Sequence, residues 1–293
     1  MKTCRFSAIP DISQVPHLPR HSASRYVQPL REGGSLPAVV DTEDGGLFVV
    51  KFRGAGQGAK VLVAEIIVSG LAVALGLPTP ALALVDVSER FGRSEPDPEI
   101  QELLRRSHGT NVGMRYLEGA FNFDPKAAGE LMTAQLAADV VWLDALTTNP
   151  DRTPRNPNLM IFNRQPWLID HGAALYAHHD WASVNDERTR TPFQLIRSHV
   201  LLASAGDLSI ADAANSQKLA GDAIAEVVSH VPDDLLMDDA TGAPDFSSPD
   251  EARARYVRYL SERLAHRSAW LAEAVKAQEQ LRIEAPQHLK ARR

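Results

Sequence analysis

The chain has 293 residues, 44% of them hydrophobic and 23% charged, with a formal net charge of −6. That length suits one or two domains with a sizeable core, and the acidic balance argues against a fold-wide basic surface for nucleic acid. The single cysteine, Cys4, excludes an internal disulfide framework and a multi-cysteine zinc site, and no uncharged stretch approaches the ~20 residues that span a bilayer.

Before Pro10 and Asp11 the chain has no apolar signal core, so a soluble, cytoplasmic protein with no membrane partner is expected. Residues 1–24 hold Pro10, Pro16 and Pro19 with little periodicity, the pattern of an extended arm. Residues 24–30, 36–41 and 47–52 are β-prone runs. The turns Arg31-Glu32-Gly33-Gly34-Ser35 and Glu43-Asp44-Gly45-Gly46 separate them, which predicts a three-stranded antiparallel meander. After a glycine-rich bend at 53–58, Val61, Ala64, Ile67, Leu71 and Ala74 recur at helical spacing, and Gly76 ends that helix. Pro78 and Pro80 hand over to a buried strand at 81–87, then a proline-bearing loop at 91–99 and a strand at 111–117.

Beyond Gly119 the pattern turns helical. A long helix is expected at 127–145, carrying Leu131, Leu136, Val140, Trp142 and Leu143. A polar turn at 147–157 precedes two short apolar runs, 159–162 and 167–170. Residues 210–231 and 251–281 are helical in composition, and the acidic segment 232–249 between them is a surface excursion. The expected fold class is α+β in two lobes: a β-rich lobe over 1–117 and a mainly helical lobe over 118–293, joined through Tyr116-Leu117-Glu118-Gly119.

The chemistry concentrates in Asn149-Pro150-Asp151-Arg152-Thr153-Pro154-Arg155-Asn156. Asp151 and Asn156 lie five residues apart in a loop ahead of an apolar hairpin. Phosphoryl transfer uses such a pair: a carboxylate to orient the attacking hydroxyl and an amide oxygen to hold magnesium. Trp167-Leu168-Ile169-Asp170-His171-Gly172 then offers a carboxylate at a strand end, fit for a second magnesium oxygen. Asp and Asn also cap ordinary turns, so the loop alone is a weak signal. Upstream, Lys51 interrupts an apolar strand and Glu65 an apolar helix face, so each needs solvent or an opposite charge. At the first hairpin turn, backbone N–H groups of Gly33, Gly34 and Ser35 are placed to cover phosphates.

Taken in order, these pieces resemble a HipA-like kinase domain, a bacterial branch of the protein-kinase-like fold, over about residues 24–203. Asp151-Arg152 followed by Asn156-Pro157-Asn158-Leu159-Met160 is also similar to the phosphoinositide lipid kinases. The resemblance implies ATP between two lobes and Mg²⁺ on Asn156 and Asp170. It implies Asp151 as catalytic carboxylate, Lys51 on the phosphates and Glu65 holding Lys51, with Met114, Tyr116 and Leu117 at a hinge facing adenine. Departures are plain: Asn149-Pro150 stands where protein kinases carry His-Arg, Asp170-His171-Gly172 replaces Asp-Phe-Gly, and no Gly-x-Gly-x-x-Gly or Ala-Pro-Glu occurs. The resemblance is to the compact stand-alone forms of that family rather than to its full-length toxins. With about 24 residues ahead of the first strand, the toxins' amino-terminal subdomain is expected to be missing, so no antitoxin partner is carried over.

The expected activity is therefore ATP-dependent phosphorylation of a hydroxyl, a Ser or Thr of a protein. The alternatives are a small-molecule phosphotransferase of the aminoglycoside or choline kinase kind, and an ATP-binding pseudokinase. Retention of Lys51, Glu65, Asp151, Asn156 and Asp170 together speaks against the last. Among other residues, His171, His178, His179 and Asp180 are expected in a solvated loop rather than around a metal, with a place near the phosphates as the alternative for His171, which adjoins Asp170. Arg152 and Arg155 are either phosphate contacts or surface arginines, and Arg253, Arg255, Arg258 and Arg263 form a solvated helix face.

Overall fold

The computed structural model describes residues 17–30, 36–56, 58–93, 95–125, 131–238 and 245–284. Strands β1 (Arg20–Pro29), β2 (Ala38–Thr42) and β3 (Gly46–Lys51) form the expected meander, with Val40 opposite Phe48 and Ala38 opposite Val50. Two more strands, β4 (Leu82–Val87) and β5 (Gly109–Arg115), extend it into a closed barrel of order β1-β2-β3-β5-β4. Closure comes from parallel pairing of β1 with β4, Arg20 opposite Leu84 and Ser22 opposite Asp86. A closed barrel leaves no unpaired edge.

Period-2 alternation fills the barrel with Ala38, Val40, Phe48, Val50, Ala83 and Val85. Helix α2 (Pro98–Arg105) plugs one end through Ile100, Leu103 and Leu104. The loop expected at 91–99 is thus cut short. The Asp97 carboxylate accepts the N–H groups of Glu99 and Ile100, and Pro98 occupies the first turn, where its missing donor costs nothing.

Helix α1 (Ala59–Leu75) leaves β3 and stops at Gly76, whose φ of 78° puts it in the left-handed region. Helix α3 (Ala134–Thr147) starts later than its apolar pattern suggests, because the Thr133 hydroxyl caps the Leu136 N–H. Strands β6 (Phe121–Asn122), β7 (Leu159–Phe162) and β8 (Gln165–Leu168) form a second, antiparallel sheet. The rest is helical: α4 (Asp186–Thr189), α5 (Leu208–Lys218), α6 (Ala223–Ser229), α7 (Asp233–Leu236), α8 (Pro249–Ala265) and α9 (Ser268–Glu284). Both long helices expected here are broken, the first near Gly221 (φ 66°) and the second at His266-Arg267.

The main core packs α1, α3 and the later helices together, with Trp142 and Trp270 edge to face at 5.6 Å between ring centroids. Arg263 corrects the expectation of a solvated α8 face. It is 1% exposed, donating to the Leu146 carbonyl (Nε, 2.7 Å) and the Ala145 carbonyl (Nη2, 2.8 Å). Those carbonyls lie in the last turn of α3, where a guanidinium satisfies orphan acceptors and opposes the negative helix end. No helix among the described residues is long and apolar enough to cross a membrane.

Candidate active site

The alternation that puts Phe48 and Val50 in the barrel turns Val49 and Lys51 toward a cavity. Lys51 is 6% exposed, and a buried ammonium requires negative partners. Two meet it: Nζ donates to Glu65 Oε2 on α1 and to Asp170 Oδ1 beyond β8, each at 2.6 Å. Desolvation works to lower the lysine's pKa, but the two carboxylates outweigh it and the net shift is upward. Burial likewise works to raise the Asp170 pKa, yet the Lys51 charge and hydrogen bond hold it below the usual carboxylate range.

Three local features set Asp170 in place. The Pro78 carbonyl accepts the Leu168 N–H (2.8 Å) and the Thr79 hydroxyl donates to the Leu168 carbonyl (3.1 Å), pinning the end of β8 to the loop after α1. The chain then bends, with φ 55° at Asp170, and the His171 N–H donates to Glu65 Oε2 at 2.8 Å. Finally, a Cβ on Gly172 would lie 2.5 Å from Val61 Cγ1. Val61 sits one turn before Glu65 on α1, so only glycine at 172 lets the helix approach closely enough for Glu65 to reach Lys51.

The Asp151 loop hangs from a second buried assembly. Asp144 on α3, fully buried, accepts Arg152 Nε (2.6 Å) and His199 Nε2 (2.9 Å) on Oδ2, and Asn149 Nδ2 (3.0 Å) on Oδ1. His199 Nδ1 accepts the Leu201 N–H at 3.1 Å, which assigns the imidazole proton to Nε2. Burial raises the Asp144 pKa, but Arg152 and His199 outweigh it and keep the carboxylate ionised. Arg152 also donates through Nη1 to the Asn158 carbonyl. With the loop so braced, Asp151 Oδ2 accepts Asn156 Nδ2 (2.8 Å) and Asn158 Nδ2 (3.1 Å). The Asn158 carbonyl in turn accepts the Ile169 N–H at 3.1 Å, which joins Asp151 to the residue before Asp170.

A cavity of about 560 Å³ opens beside Lys51 and Asp170, within the ~300–1,000 Å³ usual for small-molecule sites. Val49, Pro80, Met114, Met160 and Ile169 supply apolar walls, and Tyr116 and Leu117 also line it. Of the expected site residues, Lys51, Glu65 and Asp170 are brought into direct contact, Met114, Tyr116 and Leu117 share one cavity, and Asp151 contacts Asn156. Gly33, Gly34 and Ser35 lie outside the described residues. Of the described residues next to them, the Leu30 N–H donates to the Pro37 carbonyl at 2.7 Å, and both Leu30 and Pro37 line the cavity.

Some expectations fail. Arg152 is 1% exposed and is no phosphate or surface contact, since its donors are spent inside the protein. His171 and His178 are buried rather than solvated. His178 sits between Tyr256 Oη (3.1 Å) and His179 Nε2 (3.2 Å). Asn158, Asp144 and His199 were missed. Asp144 interrupts Val140-Val141-Trp142-Leu143 as Lys51 interrupts β3, and that signal marks it. Among the described residues, no group of three or more His, Cys, Asp or Glu is placed to hold a metal. Oxygen donors are nonetheless present. Asn156 spends its amide nitrogen on Asp151, and among the described residues no donor meets its Oδ1. Asp170 adds a half-exposed carboxylate.

Against known proteins, the profile of the HipA-like kinase family matches residues 24–246. No curated protein matches the sequence. Among solved structures, the crystal structure of a Helicobacter pylori proinflammatory kinase, CtkA, aligns with a TM-score of 0.51 at 12% identity. It covers 90% of this chain and 99% of that one. At that identity the likeness speaks for the fold.

Proposed function

The chain belongs to the HipA-like kinase family, and on that premise we propose that it transfers the γ-phosphoryl of ATP, with Mg²⁺, to a Ser or Thr hydroxyl of a protein. The observation that carries this reading is the double contact of Lys51 Nζ with Glu65 and Asp170 at the wall of a nucleotide-sized cavity. Two carboxylates around one ammonium leave a net negative charge open to a cation on the Asp170 side.

In this reading the barrel and the helical region are two lobes. Adenine lies between Val49, Pro80, Met114 and Met160, beside Tyr116 and Leu117. Lys51, held by Glu65, presents its charge to the phosphates. Asn156 Oδ1 and the Asp170 carboxylate are hard oxygen donors and would hold magnesium, which neutralises phosphate charge when bound. Asp151, oriented by Asn156 and Asn158, takes the acceptor hydroxyl's hydrogen bond and aligns its oxygen. Most of the acceleration then comes from positioning and from fixed charge rather than from covalent chemistry.

Incubation with γ-labelled ATP and Mg²⁺, with the chain itself or a cell extract as acceptor, tests this. Label on serine or threonine that disappears in Asp151→Ala supports the proposal. Transfer undiminished in that variant contradicts it.

A further inference from the structure

His171 occupies the middle position of Asp170-His171-Gly172 and is fully buried, yet nothing in the mechanism above uses its ring. It is held at two points by two different parts of the site. Its main-chain N–H donates to Glu65 Oε2 (2.8 Å), the oxygen that also receives Lys51. Its ring Nδ1 lies 3.3 Å from Arg152 Nη2. A guanidinium only donates, so Nδ1 must be the acceptor and the ring proton sits on Nε2. Arg152 adjoins Asp151 and is itself fixed by Asp144 and by the Asn158 carbonyl. His171 adjoins Asp170. The Arg152–His171 hydrogen bond is therefore a side-chain tie between the loop of the hydroxyl-orienting carboxylate and the loop of the metal-side carboxylate. A second tie, from the Ile169 N–H to the Asn158 carbonyl, belongs to the backbone, and Arg152 reaches that same carbonyl.

The geometry points to His171 as a positioning residue of the phosphoryl-transfer site. Its Nδ1, by accepting from Arg152, sets Asp170 relative to Asp151. This rests on the kinase reading above. The chemistry requires an acceptor at the Nδ1 position, not an aromatic ring or a second nitrogen. Asparagine puts Oδ1 where Nδ1 stands. Glutamine moves its amide one bond further out, and leucine keeps bulk without any acceptor, leaving a buried guanidinium donor unpaired.

The test compares wild type with His171→Asn, His171→Gln and His171→Leu. ADP formation from Mg-ATP is measured with protein acceptor present, and rates are normalised to the fraction of chains that bind an ATP analogue. His171→Leu is expected to lower kcat by about one to two orders of magnitude with little change in the KM for ATP, because Lys51, still held by Glu65, keeps its charge toward the nucleotide. His171→Gln should behave like leucine, and His171→Asn should recover kcat to within about threefold of wild type. Thermal melts of the three variants check that the rank order is not one of folding. Equal normalised kcat in the asparagine and leucine variants overturns the inference and leaves the kinase reading standing. Wild-type protein that binds the analogue but never turns over ATP overturns both.

Discussion

Two buried cation–carboxylate assemblies anchor this molecule, and they differ in one respect. Around Asp144, the carboxylate, the Arg152 guanidinium and the His199 ring are sealed, with side-chain exposures of 0%, 0% and 2%. One negative charge meets one positive, and the imidazole donates as a neutral partner. Around Lys51, the ammonium and Glu65 are also buried, at 7% and 1% side-chain exposure, but Asp170 keeps 43% of its side chain exposed and carries the surplus negative charge to a cavity. Both obey the rule that a buried charge needs a partner. The sealed assembly spends its electrostatics on fixing the Asp151 loop, whereas the open one retains charge for a ligand.

Breaking the sealed assembly should cost most in stability. Asp144→Ala leaves Arg152 buried without its carboxylate, and a loss of about 3–5 kcal/mol is expected in denaturant unfolding. An unfolding midpoint unchanged from wild type would show that the guanidinium finds another partner. At the open assembly the effect should fall on activity. Lys51→Met is expected to lower phosphoryl transfer by about 10²–10³-fold in a labelled-ATP assay. Combining it with Glu65→Gln, which removes the orphaned buried charge, should improve the melting temperature without restoring transfer. Recovery of activity in the double variant would remove Lys51 from the chemistry.

A smaller effect separates the regions by pH. The buried rings of His171, His178 and His199 all have pKa values lowered chiefly by desolvation, His171 to about 4. Near neutral pH, folded and unfolded chains alike hold these rings uncharged. Below the unfolded value of about 6.5 the unfolded chain binds protons that the folded chain refuses, so stability falls with pH, by at most about 1.4 kcal/mol per pH unit for each ring. His178→Gln should reduce that slope between pH 6.5 and 5 by one ring's share, as read from unfolding curves at several pH values. The least is expected at the partly exposed Lys60–Asp245 pair (2.7 Å), which lies outside both assemblies. Lys60→Ala should cost no more than ~1 kcal/mol, and less in high salt.

Much of the open assembly was legible because its parts violate local patterns. A lysine inside an apolar strand and a glutamate inside an apolar helix announce a partnership before any contact is seen, and Asp151 with Asn156 carries its spacing in the chain. The sealed assembly was hidden for a different reason. Arg152 stands among Asn, Pro and Thr, a setting that reads as solvent, and only its contact with Asp144 eight residues earlier, a carboxylate that His199 also meets from far downstream, reveals its burial. Arg263 is the same case, since a charged helix face turns inward only because the end of α3 lies there to be capped. Barrel closure by β1 and β4 also depends on pairing across more than sixty residues, which no local run of side chains encodes. Helix α2 escaped because two turns are too short to establish a period, although Asp97-Pro98 marked its start.

The most direct trial of the open assembly is calorimetric titration of a non-hydrolysable ATP analogue, with and without Mg²⁺, into wild type and Asp170→Asn. Mg²⁺ is expected to tighten binding to wild type severalfold, and the substitution to abolish this gain while the variant melts cooperatively. Equal magnesium enhancement in both proteins, or no nucleotide binding by wild type, would contradict it.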